Sequence, residues 1–210
     1  MDEPIVWRGQ TMDDRSAERR AQLLDVGFDM IGTHGAPSVT LRAVCREAGL
    51  SPRYFYESFA DREELLTAVY DHAEAGLLAR LVPANEAAPK LSIREIIDIC
   101  AEYFEEDPRR ARTLLREPLS DDVLRAHQAG RSPAFLSAII PALGGVDDKL
   151  LPRDSTELSV LAAALAGVSI SLYLEWLDGR IELKRDELAE MADRLVTAIA
   201  EVVTTRGEGG

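Results

Sequence analysis

The chain has 210 residues, 46% apolar and 29% charged, which is enough to bury a substantial core and too apolar for a disordered chain. Its formal net charge of −13 argues against a nucleic-acid partner for the molecule as a whole, because phosphate binding is driven by Lys and Arg. The two cysteines, Cys45 and Cys100, lie far apart, and Asp2, Glu3 and Pro4 stand where a signal peptide would be basic, so a reduced cytoplasmic protein is expected.

Strict strand alternation is scarce and the 3.6-residue period recurs in nearly every segment, so an all-α chain of about nine helices is expected, as one domain or a small one joined to a larger. Residues 1–14 lack periodicity and read as a flexible arm; Arg8 and Arg15 fit either a groove of nucleic acid or a solvated tail. From about Asp14 to Thr33 a helix is signalled by Ala17, Ala21, Leu24, Phe28 and Ile31 on one face, and Gly35 closes it. Gly27 inside it costs about 1 kcal/mol relative to Ala and predicts the close approach of another backbone.

The stretch Val39 to Leu66 carries two short helices written in capping chemistry. Thr40 and Ser51 stand at N-cap positions, and the pairs Val39 with Val44 and Leu50 with Phe55 have the spacing of hydrophobic staples. Gly49 sits where the first helix must end left-handed, and Pro52 opens the second, so the turn between them is about three residues long. This is a helix-turn-helix pattern. Between residues 38 and 62 four arginines stand against three carboxylates, a local balance of +1, so the acidity belongs mostly to the rest of the chain. In the first helix Leu41, Val44, Cys45 and Ala48 face inward, which makes Cys45 a small core residue.

In the second helix Phe55 and Phe59 fall opposite an outward arc of Arg53, Tyr54, Glu57 and Ser58, with Tyr56 at the flank. Arg53 has the fork for a bidentate contact to guanine, Tyr54 suits a thymine methyl or a phosphate, and Tyr56 suits a phosphate at the groove edge. Glu57 either accepts from cytosine N4 or pairs with Arg53 at i, i+4. With Thr40, Arg42, Ser51 and Pro52, these residues form the candidate DNA-contact set.

Over residues 20–66 this pattern resembles the TetR family of bacterial transcription regulators: an amphipathic first helix ending at Gly35, then Thr40, Ala48-Gly49-Leu50-Ser51, Phe55-Tyr56, Phe59, and a basic residue, Arg62, opening the fourth helix. Cys45, Tyr54 and Arg62 stand where alanine, a small residue and lysine are usual. The resemblance implies a helix-turn-helix domain over 15–60 and a helical ligand-sensing and dimerisation domain over 61–205, joined by a connecting helix at 61–80. By position Arg62 is either a phosphate contact or a solvated charge. The family also implies a homodimer on a palindromic operator and repression relieved by a small molecule.

The fourth helix starts with a capping box, Asp61 with Glu64, and runs through Leu65, Leu66, Val69 and Tyr70 to about Arg80; Val82 to Lys90, with Pro83 and Pro89, reads as a loop. A second box, Ser92 with Glu95, opens a helix that shares Ile93, Ile96, Ile97, Cys100 and Phe104 on one face. Pro108 opens a helix to about Arg116, closed by Pro118, and Ser120 to Leu143 is helical with an interruption or kink near Pro133. Leu158 to Leu174 contains no charge, which raises a transmembrane reading; the run is shorter than the ~20 residues a span needs and is flanked by Glu157 and Glu175, so a buried helix opened by an Asp154–Glu157 box is favoured. Ala163, Gly167 and Ser171 form a stripe of small residues on it, and the last helix, about Asp186 to Val203, carries Leu188, Met191, Leu195, Ile199 and Val202. These two helices suit a dimer interface or packing inside a monomer. Arg206 to Gly210 reads as a tail.

A sensor cavity is expected between the fourth and the middle helices, with His72, Tyr103, Arg116, His127, Phe135 and Tyr173 as candidates and an apolar or amphipathic ligand. The three histidines lie in separate segments with no metal-ligand spacing, and no phosphate-cradling loop appears, so no cofactor, no metal, no membrane partner and no catalysis are expected. The alternative to a ligand-responsive regulator is a DNA-bound structural or division-associated protein that uses the same head without a ligand.

Overall fold

Side-chain caps set the starts of most helices in the computed structural model, which describes residues 12–82 and 89–204. The expected tail, the first eleven residues of the expected arm and the interior of the 82–90 loop lie outside the described residues. Among the described residues the chain is all-α: α1 (Met12–His34), α2 (Leu41–Ala48), α3 (Pro52–Ser58), α4 (Arg62–Leu81), α5 (Ile93–Glu106), α6 (Pro108–Ala111), α7 (Asp122–Ile139), α8 (Ser155–Leu177) and α9 (Arg185–Thr204). One isolated bridge, Leu91 to Leu143, ties the start of α5 to the end of the α7 segment.

Thr40 accepts from the Ala43 amide at α2, Asp61 from Glu64 at α4, Ser92 from Glu95 at α5, and Asp154 from Thr156 and Glu157 at α8. Ser51 is the exception: it occupies the N-cap of α3, but its hydroxyl makes no capping bond, so Pro52 at the first helical position carries the start of that helix. Gly49 ends α2 at φ 63°, in the left-handed region.

α1 turns a different face inward from the one its spacing suggests. Ala17 and Ala21 are exposed, while Leu23, Gly27 and Ile31 are buried. A four-residue stripe continues from Leu23 through Gly27 to Ile31, and what approaches Gly27 is side chain and not the expected backbone: a Cβ there would lie 2.9 Å from Val69 Cγ2 of α4. With Val44, Phe55, Phe59, Leu65 and Leu66 fully buried around it, α1 forms the core of the N-terminal helices.

The larger helical body stacks α5 against α9 and α7 against α8 and α4. After four residues α6 widens into a π turn, Arg112–Arg116, and then tightens into a 3-10 turn, Glu117–Leu119, where Pro118 lacks the amide that would continue the helix. α7 runs through Pro133 without a break. By length and composition α8 could cross a membrane; here it packs on α7 and α9, with the Tyr173 hydroxyl donating to the Ile97 carbonyl at 2.9 Å.

Candidate nucleic-acid interface

α3 is a helix of seven residues with one buried side chain, Phe55, so the rest of it faces solvent. Phe55 stacks edge-on to Tyr56 and tilted against Phe59, which holds the helix to the core by its apolar side. Arg53, Tyr54, Tyr56 and Glu57 are all exposed, as are Thr40, Arg42, Ser51 and Pro52 at the ends of α2 and α3. Arg53 Nε donates to Glu57 Oε1 at 3.0 Å, yet its side chain stays 84% exposed, so the guanidinium has donors left for a base edge. Glu57 is therefore engaged by Arg53 and, at 3.6 Å, by Arg19.

α1 contributes what the sequence did not disclose. Arg19 lies 4.5 Å over the Tyr54 ring, Arg20 lies 4.1 Å over Phe59 and donates to the Ser58 carbonyl, and Gln22 donates to the Ala48 carbonyl at 2.8 Å. Polar side chains of one helix thus close the carbonyl ends of both others. No local pattern marks such a contact, since its partners lie 26 and 38 residues away.

Arg62 turns to other partners. Its Nε donates to the Val39 carbonyl at 2.7 Å and its Nη2 to the Ala36 carbonyl at 2.8 Å, with Asp121 at 3.6 Å. Expected as a phosphate contact or a solvated charge, it also braces α4 against the turn Ala36–Ser38 and the start of α7. The same turn is held from the body: Glu117, 4% exposed, accepts from the Ala36 amide at 2.7 Å and from Arg112 Nε at 2.9 Å, and Arg112 Nη1 donates to the Thr33 carbonyl at 2.8 Å.

Above this clamp the body encloses a cavity of about 240 Å³ among α4, α5, α7, α8 and α9. Its wall is almost wholly apolar, and of the expected lining residues it includes Phe135 and Tyr173. The other four go elsewhere. His72 is exposed; Tyr103 turns back to donate to the Ala73 carbonyl at 2.8 Å; Arg116 pairs with Asp178 at 2.6 Å; His127 sits 2.7 Å from Asp71 and edge-on to Tyr70. The polar lining that sequence reasoning missed is Tyr70, Glu74, Gln128 and Ser132. A signal existed for Glu74: it is a carboxylate on the apolar stripe of Leu66, Tyr70, Leu77 and Leu81. Cys100 also lines the wall, and burial pushes its thiol up to about 12, so it is a neutral thiol and a poor nucleophile. Burial, then the nearby Glu74, likewise raises Tyr70 and keeps it a neutral hydroxyl. Among the described residues no group of three His, Cys, Asp or Glu is placed to hold a metal ion.

On the far side of the body, Ala163, Gly167 and Ser171 of α8 are exposed, with Val160 51% exposed beside them. Met191 and Leu195 of α9 are each 45% exposed and Ile199 is half-buried. Leu188, expected on this face, is fully buried in the core of its own protomer, because α9 presents two apolar arcs and Leu188 belongs to the inner one with Ala189 and Ala192.

Residues 23–69 match the family model of bacterial regulatory proteins, tetR family. Among solved structures, a tetR-family transcriptional regulator from Streptomyces coelicolor is 19% identical, with 92% of each chain covered and a TM-score of 0.60. The multidrug binding protein EbrR, complexed with imidazole, is 22% identical over 91% of this chain and 97% of its own, TM-score 0.60. The fatty acid degradation regulator FadR from Bacillus halodurans is 14% identical over 85% and 94%, TM-score 0.59. These likenesses extend the shared fold along the body: residues 23–69 match the model of the tetR family, and the chain as a whole has the fold of solved structures described as tetR-family regulators.

Proposed function

We propose that this regulator is a cytoplasmic homodimer whose two α3 helices read the half-sites of a palindromic operator, and that a small apolar or amphipathic molecule in the cavity releases it, so that it acts as a repressor. In this reading residues 15–60 form the head, 61–205 the sensing and dimerisation body, and 61–80 the connection. Arg53 and Tyr54 address base edges, while Thr40, Arg42, Ser51, Pro52 and Tyr56 position the helix on phosphates.

The observation that carries the ligand response is that cavity and clamp share their elements. α4 lends Tyr70, Glu74 and Leu77 to the cavity wall and Arg62 to the clamp; the segment after α6 lends Leu114 and Leu115 to the wall and Arg112 and Glu117 to the clamp. A molecule that binds one arrangement of these elements better than another shifts the head by that difference in affinity.

The dimer is supported by the uncovered α8 stripe. A Cβ on Gly167 would meet nothing within 4 Å in its own protomer, so nothing there requires a glycine that costs a helix about 1 kcal/mol. A partner helix approaching closely supplies the reason, and it covers the exposed apolar residues of α8 and α9.

Selection of bound sequences from a random DNA pool, followed by a small-molecule release screen, tests the whole reading. It should return a two-fold symmetric site and compounds that lower affinity for it. A site without symmetry, or binding that no cavity ligand alters, would favour a structural DNA-bound protein. Sedimentation of Gly167→Glu should yield monomer; a persistent dimer would move the interface elsewhere.

A further inference from the structure

The effector cavity contains one carboxylate, and its hydrogen bonding is incomplete. Glu74 is 4% exposed, and both bonds it receives, from Nε and Nη2 of Arg131, go to the same oxygen, Oε2. Oε1 accepts no hydrogen bond among the described residues. A carboxylate offers about four acceptor sites, so Oε1 has capacity for a donor presented in the cavity. The neighbouring polar groups do not fill it. Gln128 Nε2 donates to the Leu114 carbonyl at 2.7 Å and the Ser132 hydroxyl to the Gln128 carbonyl at 2.9 Å.

The charges around Glu74 also fail to balance. Arg131 is shared with Asp71 at 3.1 Å, and Asp71 in turn faces His127 at 2.7 Å. Two carboxylates, Glu74 and Asp71, thus share one guanidinium. An anionic head entering here would meet an excess negative charge in a low-dielectric wall, and a purely apolar ligand would seal the spare oxygen away from water.

We propose that the cavity takes an amphipathic organic cation, with an N–H-bearing cationic head on Glu74 Oε1 and an apolar body along the wall toward Phe135, Ile139 and Ile170. The inference rests on the cavity being the effector site and adds the class of effector. The volume of about 240 Å³ exceeds that of an engineered cavity of roughly 150 Å³ known to hold benzene, so the body is a short chain or a small ring system.

Calorimetric titration of the full chain with octylammonium, octan-1-ol and octanoate tests it. Octylammonium should bind at least about tenfold more tightly than octanoate, the range that a charge-assisted hydrogen bond supplies. Glu74→Gln should remove that preference while octan-1-ol affinity stays within about threefold, which shows the cavity intact. Equal or better binding of octanoate to the parent protein overturns the proposal without needing any variant, as does an ammonium preference that survives Glu74→Gln. If octan-1-ol binds and octylammonium gains nothing over it, the cavity reading stands and the cation is wrong. If none of the three binds, both fall.

Discussion

The N-terminal helices and the helical body are held by interactions of opposite reach. In the head, the limits of α2 and α3 are set largely by neighbours, with Gln22 and Arg20 of α1 added from farther away: Thr40 caps a helix three residues away, Gly49 ends it, and Phe55 seats the next against Phe59. In the body the deciding contacts span tens of residues, as Glu117 reaches Ala36, Arg131 reaches Glu74 and Tyr173 reaches Ile97. A locally specified head can keep one shape while a body built from distant contacts changes its own, and this division of labour suits a regulator whose reading surface is constant and whose angle is not.

The largest expected effect tests how few residues hold the head. Phe55→Ala should cost about 3–5 kcal/mol in denaturant unfolding, since this ring is 1% exposed and is the one buried side chain of α3. A loss below about 1 kcal/mol would mean that α3 is anchored elsewhere. Next, Glu117→Ala leaves the Ala36 amide and Arg112 without their acceptor and should cost about 2–3 kcal/mol; if the clamp transmits the signal, effector release should weaken in proportion. An undiminished release response would place the coupling outside the clamp.

Two arginines separate reading from bracing. Arg53→Ala should lose about 1–3 kcal/mol at one base position of the operator and relax specificity there. Arg62→Ala should instead lower the unfolding free energy by about 1–2 kcal/mol, with the salt dependence of DNA binding unchanged, because the guanidinium is held on the Val39 and Ala36 carbonyls with Asp121 beside it. A salt slope reduced by about one would return Arg62 to the phosphates. The smallest pair compares two caps: Thr40→Ala should cost about 1 kcal/mol, and Ser51→Ala less than about 0.5, since only Thr40 makes its bond. Equal losses would show that the Ser51 hydroxyl caps α3 in solution.

What could be read from the chain follows the same division. The α2 to α3 turn, the caps Asp61 and Asp154 and the Ser92–Glu95 capping box were legible because their signals sit within five residues of their effects, whereas Glu64 and Glu157 reach back to the Ala60 and Arg153 amides and leave their boxes incomplete. The face of α1 was misjudged because Ala17 and Ala21 fit an apolar stripe as well as Leu23 and Ile31 do, and only the helices packed on it decide between them. Leu188 was misplaced for a related reason, two apolar arcs on one helix. The cavity wall was partly legible: Phe135 and Tyr173 line it, whereas His72 faces solvent and Arg116 is drawn to Asp178, a partner that no spacing reveals. The π turn at Arg112–Arg116 has no signature in the sequence, and it lets Leu114 and Leu115 serve the cavity while Glu117 serves the head.

Gly27 and Gly32 of α1 carry a mechanical consequence. A Cβ on Gly27 would press on Val69 Cγ2 at 2.9 Å, and one on Gly32 would overlap Arg109 Cβ at 2.3 Å, so α1 rests against α4 and α6 with no clearance at two points. Both points lie on α1, five residues and about 7.5 Å apart. Tight contact resists compression, so any movement of α4 or α6 toward α1 is passed to that helix without being absorbed by slack, and with it to the head.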